Sequence, residues 1–122
     1  MTLRLFCAGF LLAATLFAAD PAVDQAKKKV AEHKYDEAIT SLQAAYKQKP
    51  KSTELQKALA DTYLAKANSF MYNDALPPRQ KYPEALRSYR KVLEYDKTNK
   101  KAQEGVSTIE GIYKSMGRPI PQ

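Results

Sequence analysis

The 122-residue chain has a single cysteine, Cys7, a single histidine, His33, no tryptophan and only four glycines. Each scarcity removes a class of function. One cysteine forms no internal disulfide, and one cysteine with one histidine falls short of an ordinary zinc ligand set. The glycines stand apart at positions 9, 105, 111 and 117, so there is no Gly-rich loop to cradle a phosphate. His33 has no companion nucleophile with which to act as a general base. The length allows one domain and excludes a Rossmann or TIM-barrel enzyme. The sequence therefore reads as no enzyme: it offers no catalytic residue, no metal ligand and no cofactor site.

Apolar residues are unevenly spread. Arg4 is followed by an uncharged run from Leu5 to Phe17, then by the small residues Ala18 and Ala19 and the polar start Asp20-Pro21. A short positive stretch, an apolar run and small residues make the pattern of a secretory signal peptide. The run is shorter than the roughly 20 residues of a membrane-spanning helix. Residues 1–19 are thus expected to be a signal peptide, or an N-terminal anchor through residues 5–19, with a helical domain over 20–122. Cys7 lies inside the apolar run. The expected location is outside the bacterial inner membrane, periplasmic or secreted, with an inner-membrane anchor as the alternative.

The remaining chain shows helical periodicity and no period-2 segment, which predicts an all-α fold of about five helices. Asp20-Pro21 opens the first helix, which runs to about Glu32 with Val23, Ala26, Val30 and Ala31 on one side. A second starts near Tyr35 or Asp36 and stops at Pro50. Ser52 caps a third, with a stripe of Leu55, Leu59, Tyr63 and Phe70 and small spacers Ala58, Ala60 and Ala67. Pro77-Pro78 marks a loop, and Pro83 is expected in the first turn of a fourth helix. Asn99 caps a fifth, with Ala102, Val106, Ile109, Tyr113 and Met116 as its buried series and Gly117 as its C-terminal cap.

Two segments repeat. Tyr35-Asp36-Glu37-Ala38, with Leu42, Ala45 and Pro50, lines up with Tyr82-Pro83-Glu84-Ala85, with Tyr89, Val92 and Lys97. Leu59, Ala60 and Tyr63 hold the register after Pro50. The chain resembles the tetratricopeptide repeat, whose period is about 34 residues. Here Ala38 and Ala85 are 47 residues apart. The excess of about 13 falls between Tyr63 and Tyr82, as an insertion in the second repeat. In the first helix Gln25 and Lys29 stand where the family has Leu and Tyr. The resemblance implies an α-α superhelix of antiparallel hairpins: two repeats and a C-terminal capping helix. It implies packing roles for Tyr35, Ala38, Leu42, Ala45, Leu59, Ala60, Tyr63, Tyr82, Ala85 and Tyr89, small residues letting helices approach and large ones filling between them.

The resemblance further implies an adaptor or scaffold that binds a protein or peptide. The family's groove transfers to helices one, three and five, with Lys27, Lys57, Asp61, Leu64 and Ala65 as candidate contacts. Phe70, Met71 and Tyr72 are consecutive and cannot all face one core, so Phe70 and Tyr72 join the candidates through the insertion. The alternative function is self-assembly, repeats stacking end to end into homo-oligomers. Basic residues exceed acidic ones, 20 to 13, with clusters at Lys27-Lys28-Lys29 and at Lys97, Lys100 and Lys101. The excess suits an anionic envelope surface. Nucleic acid is not expected as a partner, because most tyrosines occupy packing positions and export removes the chain from it.

Overall fold

The computed structural model describes residues 19–122; the proposed signal peptide lies almost entirely outside them. Five helices follow one another: α1 (Pro21–Ala31), α2 (Tyr35–Gln48), α3 (Thr53–Met71), α4 (Pro78–Tyr95) and α5 (Lys100–Ser115). There is no strand among the described residues. The fold is all-α, built of successive antiparallel hairpins.

Local chemistry sets the boundaries. Three helices begin on a side chain that accepts a backbone N–H: Asp20 from Ala22 at 3.0 Å, Ser52 from Leu55 at 3.2 Å and Asn99 from Ala102 at 3.0 Å. Such caps satisfy amides that otherwise lack a partner. Gly117, at φ 64°, ends α5 in the left-handed region. There Arg118 N–H donates to the Tyr113 carbonyl and Gly117 N–H to Lys114, a Schellman ending. The same pattern closes α1, with Lys34 N–H on Lys29 and His33 N–H on Val30. Here the left-handed residue is His33, at φ 60°. A β-carbon makes that conformation costly, so the tight α1–α2 turn holds strain that glycine would avoid.

The core runs the length of the array. Ala38, Leu42, Leu55, Leu59, Ala67, Ala85, Leu86, Val92, Ala102 and Ile109 are fully buried, and Tyr89 nearly so. α3 pairs with both α2 and α4, α1 packs on α2 and α3, and α5 packs on α4. Gly105 is the closest approach: a β-carbon there would lie 2.5 Å from the Tyr89 ring. Among the described residues, no buried side-chain nitrogen or oxygen lacks a hydrogen-bond partner.

The structure departs from the sequence expectations at three places. Pro83 does not open α4. The helix starts at Pro78, whose missing N–H costs nothing at the first helical position, and Pro83 lies inside it. Met116 is about half exposed, and Ala31 is exposed. Met116 is the C-cap of α5 and Ala31 the last residue of α1, where neither faces a neighbouring helix. The insertion lengthens both arms of the α3–α4 hairpin, to 19 and 18 residues, and leaves Tyr72–Pro77 as the connecting loop.

Candidate functional site

On α3, Glu54, Lys57, Ala58 and Asp61 follow the i, i+3, i+4, i+7 spacing and share one face. α1 lies against that face. Between them runs an open groove of about 360 Å³. Val23, Ala26, Val30 and Ala58 form its apolar floor, and Lys27, Glu54, Lys57 and Asp61 its charged rim. Thr62 closes the floor and turns its hydroxyl inward, donating to the Ala58 carbonyl at 2.8 Å.

The rim is electrostatically ordered. Lys57 Nζ donates to Asp61 Oδ2 at 2.6 Å, and that bond raises the lysine's pKa above its ordinary value. Asp20, the N-cap of α1, is held below the usual carboxylate range by Lys49, whose ammonium donates to it at 2.9 Å. The Asp20 backbone N–H donates to Glu54 at 3.1 Å, tying the start of α1 to the first turn of α3. Lys27 has no ion-pair partner among the described residues. The groove thus presents an apolar strip flanked by charges of both signs, suited to a peptide with alternating apolar and polar side chains.

Of the candidate contacts, the structure brings Lys27, Lys57 and Asp61 together here. Leu64 and Ala65 are half-buried and do not line the groove. α5, expected as a third wall, contributes no residue to it. Phe70 and Tyr72 lie elsewhere, in a shallow hollow beside the α1–α2 turn with His33, Tyr35 and Leu76. Phe70 and Met71 are half-buried, whereas Tyr72 is 74% exposed. Glu54 was missing from the sequence candidates, although its spacing of three and seven from Lys57 and Asp61 places it on their face.

The packing residues sit as follows. Ala38, Leu42, Leu59, Ala60, Tyr63, Ala85 and Tyr89 are buried, and Tyr35, Ala45 and Tyr82 are half-buried. Tyr63 stacks on Tyr95 at 6.0 Å, Tyr95 meets Tyr46 edge-on at 6.0 Å, and Gln43 donates to the Tyr63 hydroxyl. Burial raises the pKa of Tyr63 and pushes that of Tyr89 up to about 12. The Tyr89 hydroxyl donates to Asn68 at 2.7 Å. Among the described residues no cluster of His, Cys, Asp or Glu is placed to hold a metal ion.

The family model described as tetratricopeptide repeat matches residues 29–69. That stretch runs from the end of α1 through α2 and most of α3. The match and the five-helix fold together support a protein of tetratricopeptide-repeat type. No curated protein and no solved structure matches the chain.

Proposed function

We propose that this chain is an exported adaptor of the bacterial cell envelope that binds a protein or peptide in the α1–α3 groove and has no catalysis of its own. The observation that carries the reading is the groove itself, an apolar floor with a mixed-charge rim, whose α3 side lies in the stretch that matches the tetratricopeptide repeat while Val23, Ala26 and Lys27 of α1 precede it. The second repeat rests on Tyr82, Ala85 and Tyr89, with α5 as its cap. Export rests on the pattern of residues 1–19, either removed as a signal peptide or kept as an anchor.

The test is site-directed photocrosslinking in whole cells. A crosslinker at position 57 is expected to give a discrete protein adduct, and one at position 91, on α4, is not. Ala58→Arg fills the groove from a half-buried position and abolishes the adduct while circular dichroism stays unchanged. Identical adducts from both positions, or an adduct that survives Ala58→Arg, would sink the groove reading.

A further inference from the structure

We propose that one end of the helical array is a docking surface for an anionic lipid membrane. The alternating helix directions bring the N-termini of α1, α3 and α5 to the same end as the α2–α3 and α4–α5 turns. Three contacts fix this placement: Lys49 on Asp20 at 2.9 Å, Gln56 on the Tyr95 carbonyl at 2.7 Å, and the Tyr46 and Tyr95 rings at 6.0 Å. Residues far apart in sequence thereby share one surface.

That surface is rich in lysine. Lys47, Lys49 and Lys51 come from the first turn, and Lys97, Lys100 and Lys101 from the second with the start of α5; all six are exposed. Only Lys49 is paired, with Asp20. The other five have no carboxylate within ion-pair distance among the described residues. Two further acids of this end are engaged, while Asp24, in the first turn of α1, has no cation within ion-pair distance among the described residues. Glu54 accepts the Asp20 N–H, and Asp96 accepts from the side chains of Thr98 and Asn99. Three helix N-termini and the two C-termini of α2 and α4 meet at this end, so the helix dipoles largely offset one another and the lysines carry its charge. At the opposite end more of the lysines are paired: Lys29 meets Glu37, Lys34 meets Glu32, Lys66 meets Asp36 and Lys81 meets Asp74, and Lys28, Arg79, Lys114 and Arg118 have no carboxylate within ion-pair distance among the described residues.

Folding does not require this arrangement. Lys100 and Lys101 occupy the first turn of α5, where acidic residues suit the helix dipole and lysines oppose it. α1 and α3 carry Asp24 and Glu54 there instead. A lipid surface is favoured over another anion by the route of the chain. The apolar run Leu5–Phe17 joins the domain at this same end, through Ala18, Ala19 and Asp20. Where that run is kept as the anchor rather than removed, the bilayer holding it lies within about 14 Å of Pro21, close to the distance of roughly 8–10 Å over which charge is felt at physiological salt. The surface meets the groove rim at Glu54 but includes none of the floor residues Val23, Ala26, Val30 and Ala58.

The test measures binding of the full chain to vesicles of equal parts phosphatidylglycerol and phosphatidylcholine, and to vesicles of phosphatidylcholine alone. The apolar run is common to both arms. The wild type is expected to prefer the anionic vesicles, and added salt to erase the preference. Combining Lys47→Gln, Lys51→Gln, Lys97→Gln, Lys100→Gln and Lys101→Gln is expected to weaken anionic binding about fivefold per lysine removed, with helicity retained. Combining Arg79→Gln, Lys114→Gln and Arg118→Gln, at the other end, is expected to leave it near wild type. Equal binding to the two vesicles, or equal loss in both variants, overturns the proposal. So does tighter binding to a single-stranded oligonucleotide that the five-lysine variant also loses.

Discussion

Gly105→Ala should destabilise the protein even though it replaces a poor helix former with the best one. In an exposed helix interior this exchange gains about 0.5–1 kcal/mol. Gly105 is buried, however, and an added β-carbon would lie 2.5 Å from Cε2 and 2.7 Å from Cδ2 and Cζ of Tyr89. Ordinary carbon contacts begin about 1 Å farther out. The ring is 2% exposed and its hydroxyl is tied to Asn68, so it has no free direction in which to retreat. Overpacking of this kind costs about 1–3 kcal/mol, which leaves a net loss of up to about 2.5 kcal/mol after the gain in helix propensity. Gly111, on the same helix, is the control: nothing lies within 4 Å of its β-position. Gly111→Ala should therefore raise stability by about 0.5–1 kcal/mol. For a domain of this size 1 kcal/mol moves Tm by about 4–8 °C, so thermal melts by circular dichroism should show shifts of opposite sign. Adding Tyr89→Leu to Gly105→Ala should recover part of the loss as a favourable coupling. If Gly105→Ala melts at or above the wild type, the packing of α5 on Tyr89 is not as described.

Ala38→Leu, at a fully buried position of α2, should cost about 1–3 kcal/mol in chemical denaturation; an unchanged midpoint would refute the close packing of α2. His33→Val should destabilise, because a β-branched residue tolerates φ 60° far less well than His, and a melt equal to wild type would contradict the turn geometry. Asn68→Ala leaves the Tyr89 hydroxyl without its acceptor and should cost about 1–3 kcal/mol, measurable by urea titration. Tyr89 is protonated to about pH 12 in the fold but to about 10 when unfolded. Its contribution is complete below pH 10 and is lost as pH rises toward 12, since there the unfolded state has already released the proton. Denaturation between pH 9 and 12 should accordingly fall less steeply for Tyr89→Phe than for the wild type.

The helix caps were legible because each is a local event. Asp20, Ser52 and Asn99 carry the acceptor side chain at the cap itself, and Gly117 the left-handed turn. Pro83 misled because a proline in sequence marks either a first turn or a tolerated interior, and Pro78 already held the first position. Lys57 and Asp61 were found through a periodic face within one helix. The lysine-rich end could not be read the same way, because Lys47–Lys51 and Lys97–Lys101 become neighbours only when successive hairpins stack. Gly105 was equally silent, since its role is set by the Tyr89 ring on another helix and by nothing near it in the chain.

The weak burial of α1 has a consequence for how the array opens. That helix commits only Val23 and Ala26 to the core, whereas α3 commits six residues. Its ion pairs, Lys29 with Glu37 and Lys49 with Asp20, lie at the surface, where such pairs hold little. The chain therefore has two foldons of unequal depth, and α1 peels away at a lower free energy than the α3–α4 hairpin unzips. Amide exchange should be fastest along α1 and slowest in the middle of α3. Since α1 is one wall of the groove, a bound peptide would be registered first as slowed exchange on the helix that exchanges fastest without it.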